Sequence, residues 1–193
     1  MPIIQYPQDV LAYQEIIWKV KPDLIIETGI ARGGSLIFSA SILEIIGKVL
    51  GIDIDIHKQN KKNVTTHSLS KRISMLEGSS IDEKIVNKVY KFARDKKKIL
   101  VMLDSNHTHE HVLNELRLYS PLVSKGSYMI VFDSIIGDLP DHFNKNRPWN
   151  KKNNPKTAIF QFLKENHRFV IDHDISNKLA ITVSPYGYLK CIK

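Results

Sequence analysis

Four short apolar runs in this sequence each finish on an acid: Leu24 to Glu27, Val49 to Asp53, Lys98 to Asp104 and Gly126 to Asp133. Near-continuous apolar runs bounded by turn residues mark strands buried on both faces. The segments between them have helical spacing instead. Val10, Leu11, Tyr13, Ile16, Ile17 and Val20 define a helix over 8–20, and Leu36, Ile37, Ala40, Leu43 and Ile46 the buried side of one from Gly34 through Ile45. Ile85, Val86, Val89, Tyr90 and Phe92 define a third over 83–94. Strands alternating with helices build a mostly parallel α/β sheet. Ligands of such sheets bind outside the carboxyl ends of the strands, so acids at four strand ends point to one rim and one site.

The first acid carries the most chemistry. Glu27 closes its strand just before Thr28-Gly29-Ile30-Ala31-Arg32-Gly33-Gly34-Ser35, a glycine turn opening a helix. Gly29 and Gly33 let the backbone approach a ligand, and with Ser35 they form a cofactor cradle at a helix N-terminus. A carboxylate ahead of those glycines repels a pyrophosphate but suits an amino group, and the dinucleotide pattern G-x-G-x-x-G is absent. S-adenosylmethionine therefore fits better than a dinucleotide. Asp53, at the second strand end, is placed to accept hydrogen bonds from both ribose hydroxyls. Ser79 or Ser80, behind the strand Arg72 to Glu77, can bond the adenine edge, while Ser80-Ile81-Asp82-Glu83 also reads as a helix N-cap.

The remaining segments complete one domain over 1–193. A polar stretch to His67 is read as helical, and residues 134–155, with Gly137, Pro140 and Arg147-Pro148-Trp149-Asn150, as a lid or insert over the site. Thr157 to Lys164 is a last helix. Arg168 to Asp172 and Lys178 to Ser184 are expected to form an antiparallel hairpin turning at Asp174 to Asn177, with the tail from Tyr186 extending its second strand. At 193 residues, 25% of them charged and 42% hydrophobic, the chain can bury one substantial core. The net charge of +8 is spread over solvated faces, without the basic, aromatic-interleaved stripe of a nucleic-acid reader. No signal peptide and no membrane-spanning run is visible, and the single Cys191 has no internal disulfide partner, so a cytoplasmic location is expected. The N-terminal helix and the hairpin edge are candidate contact surfaces for a homo-oligomer.

Seven strands closed by an antiparallel pair resemble the Rossmann-like class I methyltransferase fold, with helices on both faces. The match extends to motifs: Ile26 to Ser35, Glu77-Gly78-Ser79-Ser80-Ile81-Asp82, and above all Leu103-Asp104-Ser105-Asn106-His107-Thr108-His109-Glu110-His111-Val112 resemble the cephalosporin hydroxylase family, which includes rhamnosyl O-methyltransferases. The resemblance covers nearly the whole chain. It implies methyl transfer to a hydroxyl of a small-molecule, sugar or glycan acceptor. A more distant likeness to metal-dependent catechol and macrolide O-methyltransferases implies magnesium at Asp104, Asp133 and Ser134. It also implies a catalytic base at His107, three residues beyond Asp104. Phe132 stands where some relatives carry a second acid, so Ser134 and water would complete the metal shell. Two other readings compete. An iron oxygenase would need two histidines and a carboxylate, and a non-catalytic binding module would keep only the cofactor cleft. His109 is read as bonded within the fold, and only His107 and His111 would share a helix face.

Overall fold

The computed structural model describes all 193 residues. The elements are α1 (Pro7–Val20), β1 (Leu24–Thr28), α2 (Gly34–Ile42), β2 (Lys48–Asp53), α3 (Lys58–Thr65), β3 (Ile73–Glu77) and α4 (Glu83–Ala93). They continue as β4 (Ile99–Leu103), α5 (His109–Tyr119), β5 (Tyr128–Val131), α6 (Pro155–Glu165), β6 (Phe169–Ile171), α7 (His173–Lys178) and β7 (Tyr188–Cys191). They form one seven-stranded sheet of order β3-β2-β1-β4-β5-β7-β6. The first five strands are parallel, while β7 runs antiparallel to both of its neighbours.

Side chains that alternate along each strand supply two cores. Leu24 and Ile26 pack with Leu50, Val101 and the apolar faces of α4, α5 and α6. Ile25, Val49 and Leu100 face the other way, onto Ile16 and Ile17 of α1 and Leu36 and Ala40 of α2. Every residue of β1, β4 and β5 is buried. Burial on both faces is what the apolar runs require, since each such side chain removed from water contributes about 1.5–3 kcal/mol.

Two boundaries differ from the periodicity. The second helix stops at Ile42 instead of running through Ile45. Arg72 explains this, because its guanidinium collects the carbonyls of Leu43, Glu44 and Gly47 and leaves Ile45 in solvent. The C-terminal expectation is corrected more deeply. Asp172 to Lys178 is a cap and short helix instead of a turn, and Lys178 to Ser184 is not a strand. Asp9 of α1 takes the Thr182 hydroxyl, the Val183 N–H and the Tyr188 hydroxyl, which holds that segment out of the sheet. Tyr188, Leu189 and Cys191, all fully buried, fill the strand position instead.

Residues 134–155 leave β5 as two short helical turns, Ser134–Gly137 and Asp141–Asn144, and an Asn150–Asn153 bridge. Asn154 ends the segment with a reciprocal capping box to Thr157 at the start of α6. No helix is long and apolar enough to cross a membrane.

Candidate active site

The carboxyl ends of β1, β2, β4 and β5 open onto two adjoining cavities. The first, about 310 Å³, is lined by Glu27, Ser35, Asp104, His107 and Asp133 among others. The second, about 230 Å³, takes Asp53, Ser79, Ser80, Ser105 and His111. Gly29, Ala31 and Asp104 border both, so they are two lobes of one cleft divided by the glycine loop. A larger groove of about 830 Å³ lies between α1, β6 and α7, and none of the four strand-end acids reaches it.

Gly29 has φ +88°, and a Cβ there would collide with the Asp104 carbonyl, so this turn admits no side chain. Gly33, also with positive φ, caps α2 and lines the first lobe. The loop amides are not free. Ile30 and Ala31 donate to Asp53 Oδ2 at 2.7 and 3.1 Å, and the Asp55 N–H reaches Oδ1 at 3.3 Å. Asp53 therefore braces the cradle from β2 while bordering the second lobe.

Glu27 is 1% exposed. Ser35 Oγ donates to its Oε1, and Oε2 has no partner. Burial pushes its pKa up to about 8, against the opposing pull of the Ser35 hydrogen bond. Asp104 is shifted the same way, well above the ordinary carboxylate range, by burial and then by the charges of Asp133, Glu27 and Glu115, while Gln5 Nε2, donating at 3.1 Å, pulls it down. Asp133 is raised by burial and lowered by His107, and His107 is lowered mainly by burial, with Asp133 opposing. Asp104, His107 and Asp133 each place a ligand atom within 4.8 Å of the others, with His107 Nε2 at 3.2 Å from Asp133 Oδ2. Asp133 holds φ +55°, a left-handed conformation that costs about 1 kcal/mol or more and points to a functional constraint.

Ser134, expected to complete a metal shell, is bonded within the fold. Its hydroxyl is fully buried, donates to the Pro185 carbonyl at 2.6 Å and lines neither lobe, while His107 clusters with the two aspartates. The donor set fits a divalent cation. Two carboxylates pushed upward by desolvation and mutual charge are the environment such an ion relieves.

Of the other histidines, His109 is held by Thr157 Oγ1 at 2.7 Å and Gln161 Oε1 at 2.9 Å, as expected of a residue bonded within the fold. His111 joins a second network that the sequence reading missed. Glu115, 0% exposed, accepts from Ser80 Oγ at 2.5 Å and Ser105 Oγ at 2.7 Å, with His111 Nε2 at 3.0 Å from the Ser80 hydroxyl. One ring nitrogen faces both the serines and the acid, so this is no nucleophilic triad, in which the two nitrogens divide those roles. The overlooked signal was a carboxylate at 115 amid Val112, Leu113 and Leu116 on an apolar helix face. Gln5, remote in sequence from Asp104, offered no signal. No second histidine joins His107 among the clustered donors, so the two-histidine iron triad is not assembled.

Strand order, the antiparallel C-terminal strand and the cleft at the strand tips together define the class: a Rossmann-like α/β protein with the fold of S-adenosylmethionine-dependent O-methyltransferases. Solved structures agree. The chain superposes on CmcI solved with Mg and SAM at TM-score 0.64 and 19% identity, covering 100% of this chain and 75% of that one. The O-methyltransferase TomG from Streptomyces achromogenes, solved with SAM, gives TM-score 0.64 and 14% identity over 84% of this chain and 69% of the other. Residues 1–192 match the family described as Rhamnosyl O-methyltransferase/CmcI, and the chain belongs to that family. It is 36% identical over 136 residues to the rhamnosyl O-methyltransferase of Mycobacterium tuberculosis (strain ATCC 25618 / H37Rv), a match covering 68% of this chain and 54% of that protein. The chain thus spans about half the length of the curated relatives it matches.

Proposed function

We propose that this chain is an S-adenosylmethionine-dependent, magnesium-assisted O-methyltransferase acting on a hydroxyl of a sugar, glycan or natural-product acceptor. The observation that carries the reading is the first lobe, where a buried Glu27 with one unpartnered oxygen shares a wall with the Asp104, His107 and Asp133 cluster. The relatives' names, and the magnesium and SAM in the CmcI structure, support the same choice.

When bound, the donor supplies an electrophilic methyl group, and a cation lowers the pKa of the acceptor hydroxyl. Glu27 would receive the donor's ammonium group, and a carboxylate there must first lose its proton. Asp53 would hold the ribose from the second lobe, with Ser79 and Ser80 beside the base. Asp104 and Asp133 would hold the cation, since magnesium prefers oxygen to imidazole. That choice would leave His107 Nε2 to take the acceptor proton as the hydroxyl oxygen bonds the methyl carbon and the donor's S–C bond breaks to release the thioether, with Asp133, 3.2 Å away, steadying the imidazolium.

The test is calorimetric titration with S-adenosylhomocysteine, followed by turnover of a diol glycoside with and without magnesium. Saturable nucleoside binding and magnesium-dependent methyl transfer are expected. A protein that binds the nucleoside but never methylates a hydroxyl would be a binding module instead.

A further inference from the structure

Lys145, Arg147 and Lys152 on the segment 134–155 have no carboxylate partner, and of these Arg147 is the one set on an aromatic ring. Lys151 pairs with Asp141 at 3.5 Å, and Lys156, just beyond, pairs with Asp138 at 2.6 Å. Arg147 has no carboxylate. Its guanidinium lies 5.4 Å from the centre of the Trp149 ring. Trp149 in turn meets the His107 ring edge-on, with centroids 4.8 Å apart and planes at 78°. The stack is anchored, because Asn153 donates to the Pro148 carbonyl at 2.8 Å and accepts the His109 N–H at 2.7 Å, tying the segment to the start of α5.

From this arrangement we infer that Arg147 and Trp149 form an acceptor subsite selecting an acidic sugar, one that carries a carboxylate or phosphate across the ring from the hydroxyl presented to His107. The inference rests on the methyltransferase reading and names its substrate class. Two features support it. An unpaired guanidinium keeps its planar fork of donors for a carboxylate or phosphate, which it binds bidentately. The tryptophan between it and His107 offers an apolar platform for a sugar ring. The cleft's own acids would disfavour an anion placed at Asp104 or Glu27, so the charge must lie on the Arg147 side.

Trp149 fluorescence reads the subsite directly. The other tryptophan, Trp18, is 79% exposed, so Trp18→Phe removes its signal without touching the core. In that background, with S-adenosylhomocysteine and magnesium present, methyl glucuronide and glucose 6-phosphate are titrated against methyl glucoside. Saturable quenching by an acidic sugar, with the neutral one at least ~10-fold weaker, is expected from a charge-assisted pair. Arg147→Gln should erase that difference, and the tighter of the two acidic probes identifies the anion. Equal affinities, no binding by any sugar, or selectivity that survives Arg147→Gln would overturn the assignment. Calorimetry on the same samples separates the failures: nucleoside binding that persists leaves the donor reading standing, and its loss removes both.

Discussion

Two buried glutamates lie at or behind this cleft, and they are bonded differently. Glu115 gathers hydroxyls from Ser80 and Ser105 onto one oxygen, with His111 alongside, inside a helix face that is otherwise apolar. Glu27 has a single serine, and its second oxygen has no partner although it lines a cavity. Glu115 Oε2 is unpartnered as well, but a carboxylate that gathers two hydroxyls on its other oxygen and lines neither lobe is part of the scaffold. One that faces a cavity with a single serine for a partner, its pKa pushed to about 8, is poised for a cationic ligand.

The largest effect tests the scaffold half of that contrast. Glu115→Ala removes the acceptor of the buried Ser80 hydroxyl, of Ser105 and of the His111 ring, and should cost about 3 kcal/mol of unfolding free energy in urea. Glu115→Gln keeps an acceptor oxygen and should cost about 1 kcal/mol. If both variants unfold like the wild type, the network does not hold the fold together, and the contrast fails.

Glu27→Gln should do the reverse. It removes the charge that an ammonium group would meet, so S-adenosylhomocysteine should bind ~10- to 100-fold more weakly in calorimetry, the range of a lost charge-assisted hydrogen bond. The fold should not suffer. In the wild type the native Glu27 pKa lies near 8, above its ordinary 4.5, so between those values the native state holds more protons than the unfolded chain and stability falls as pH rises. Glu27→Gln lacks that loss, and its advantage in urea midpoint over the wild type should grow from pH 5 to pH 8.5. An advantage that shrinks over this range would show that Glu27 is ionised in the free protein.

What separates these two glutamates also marks where sequence stops being enough. Glu27 was legible because it ends an apolar strand before a glycine turn, and Asp53, Asp104 and Asp133 were legible by the same rule, which converts directly into position at a sheet's edge. Glu115 has no such punctuation. Its role depends on serines from two other loops, a long-range pairing that no local pattern encodes. The C-terminal strand was misplaced for a related reason. Lys178 to Ser184 has strand-like residues, but Asp9, far away in α1, takes its backbone and hydroxyl groups, and tertiary pairing overrides β propensity. Ser134, expected as a ligand, is fully buried with its hydroxyl donated to the Pro185 carbonyl, a long-range pairing the sequence does not show. The parallel half of the sheet, whose strands are specified by their own burial, was read correctly.

The smallest effect concerns the acid between the two glutamates. Asp104 feels the charges of both, and its one hydrogen bond from a protein side chain is the Gln5 amide at 3.1 Å. A donor to a carboxylate favours the ionised form, so Gln5→Ala should raise the Asp104 pKa further and weaken magnesium binding near neutral pH. One hydrogen bond is worth about 1 kcal/mol, so the affinity loss should be about fivefold at pH 7 and should shrink as the pH is raised and Asp104 ionises in both proteins. Nucleoside affinity measured without metal should stay the same, because Gln5 makes no hydrogen bond to Glu27 or Asp53. If Gln5→Ala weakened the nucleoside as much as the metal, residues 2–6, which line the same lobe, would be serving as a wall for the donor, and the division of labour between Glu27 and Asp104 would have to be redrawn.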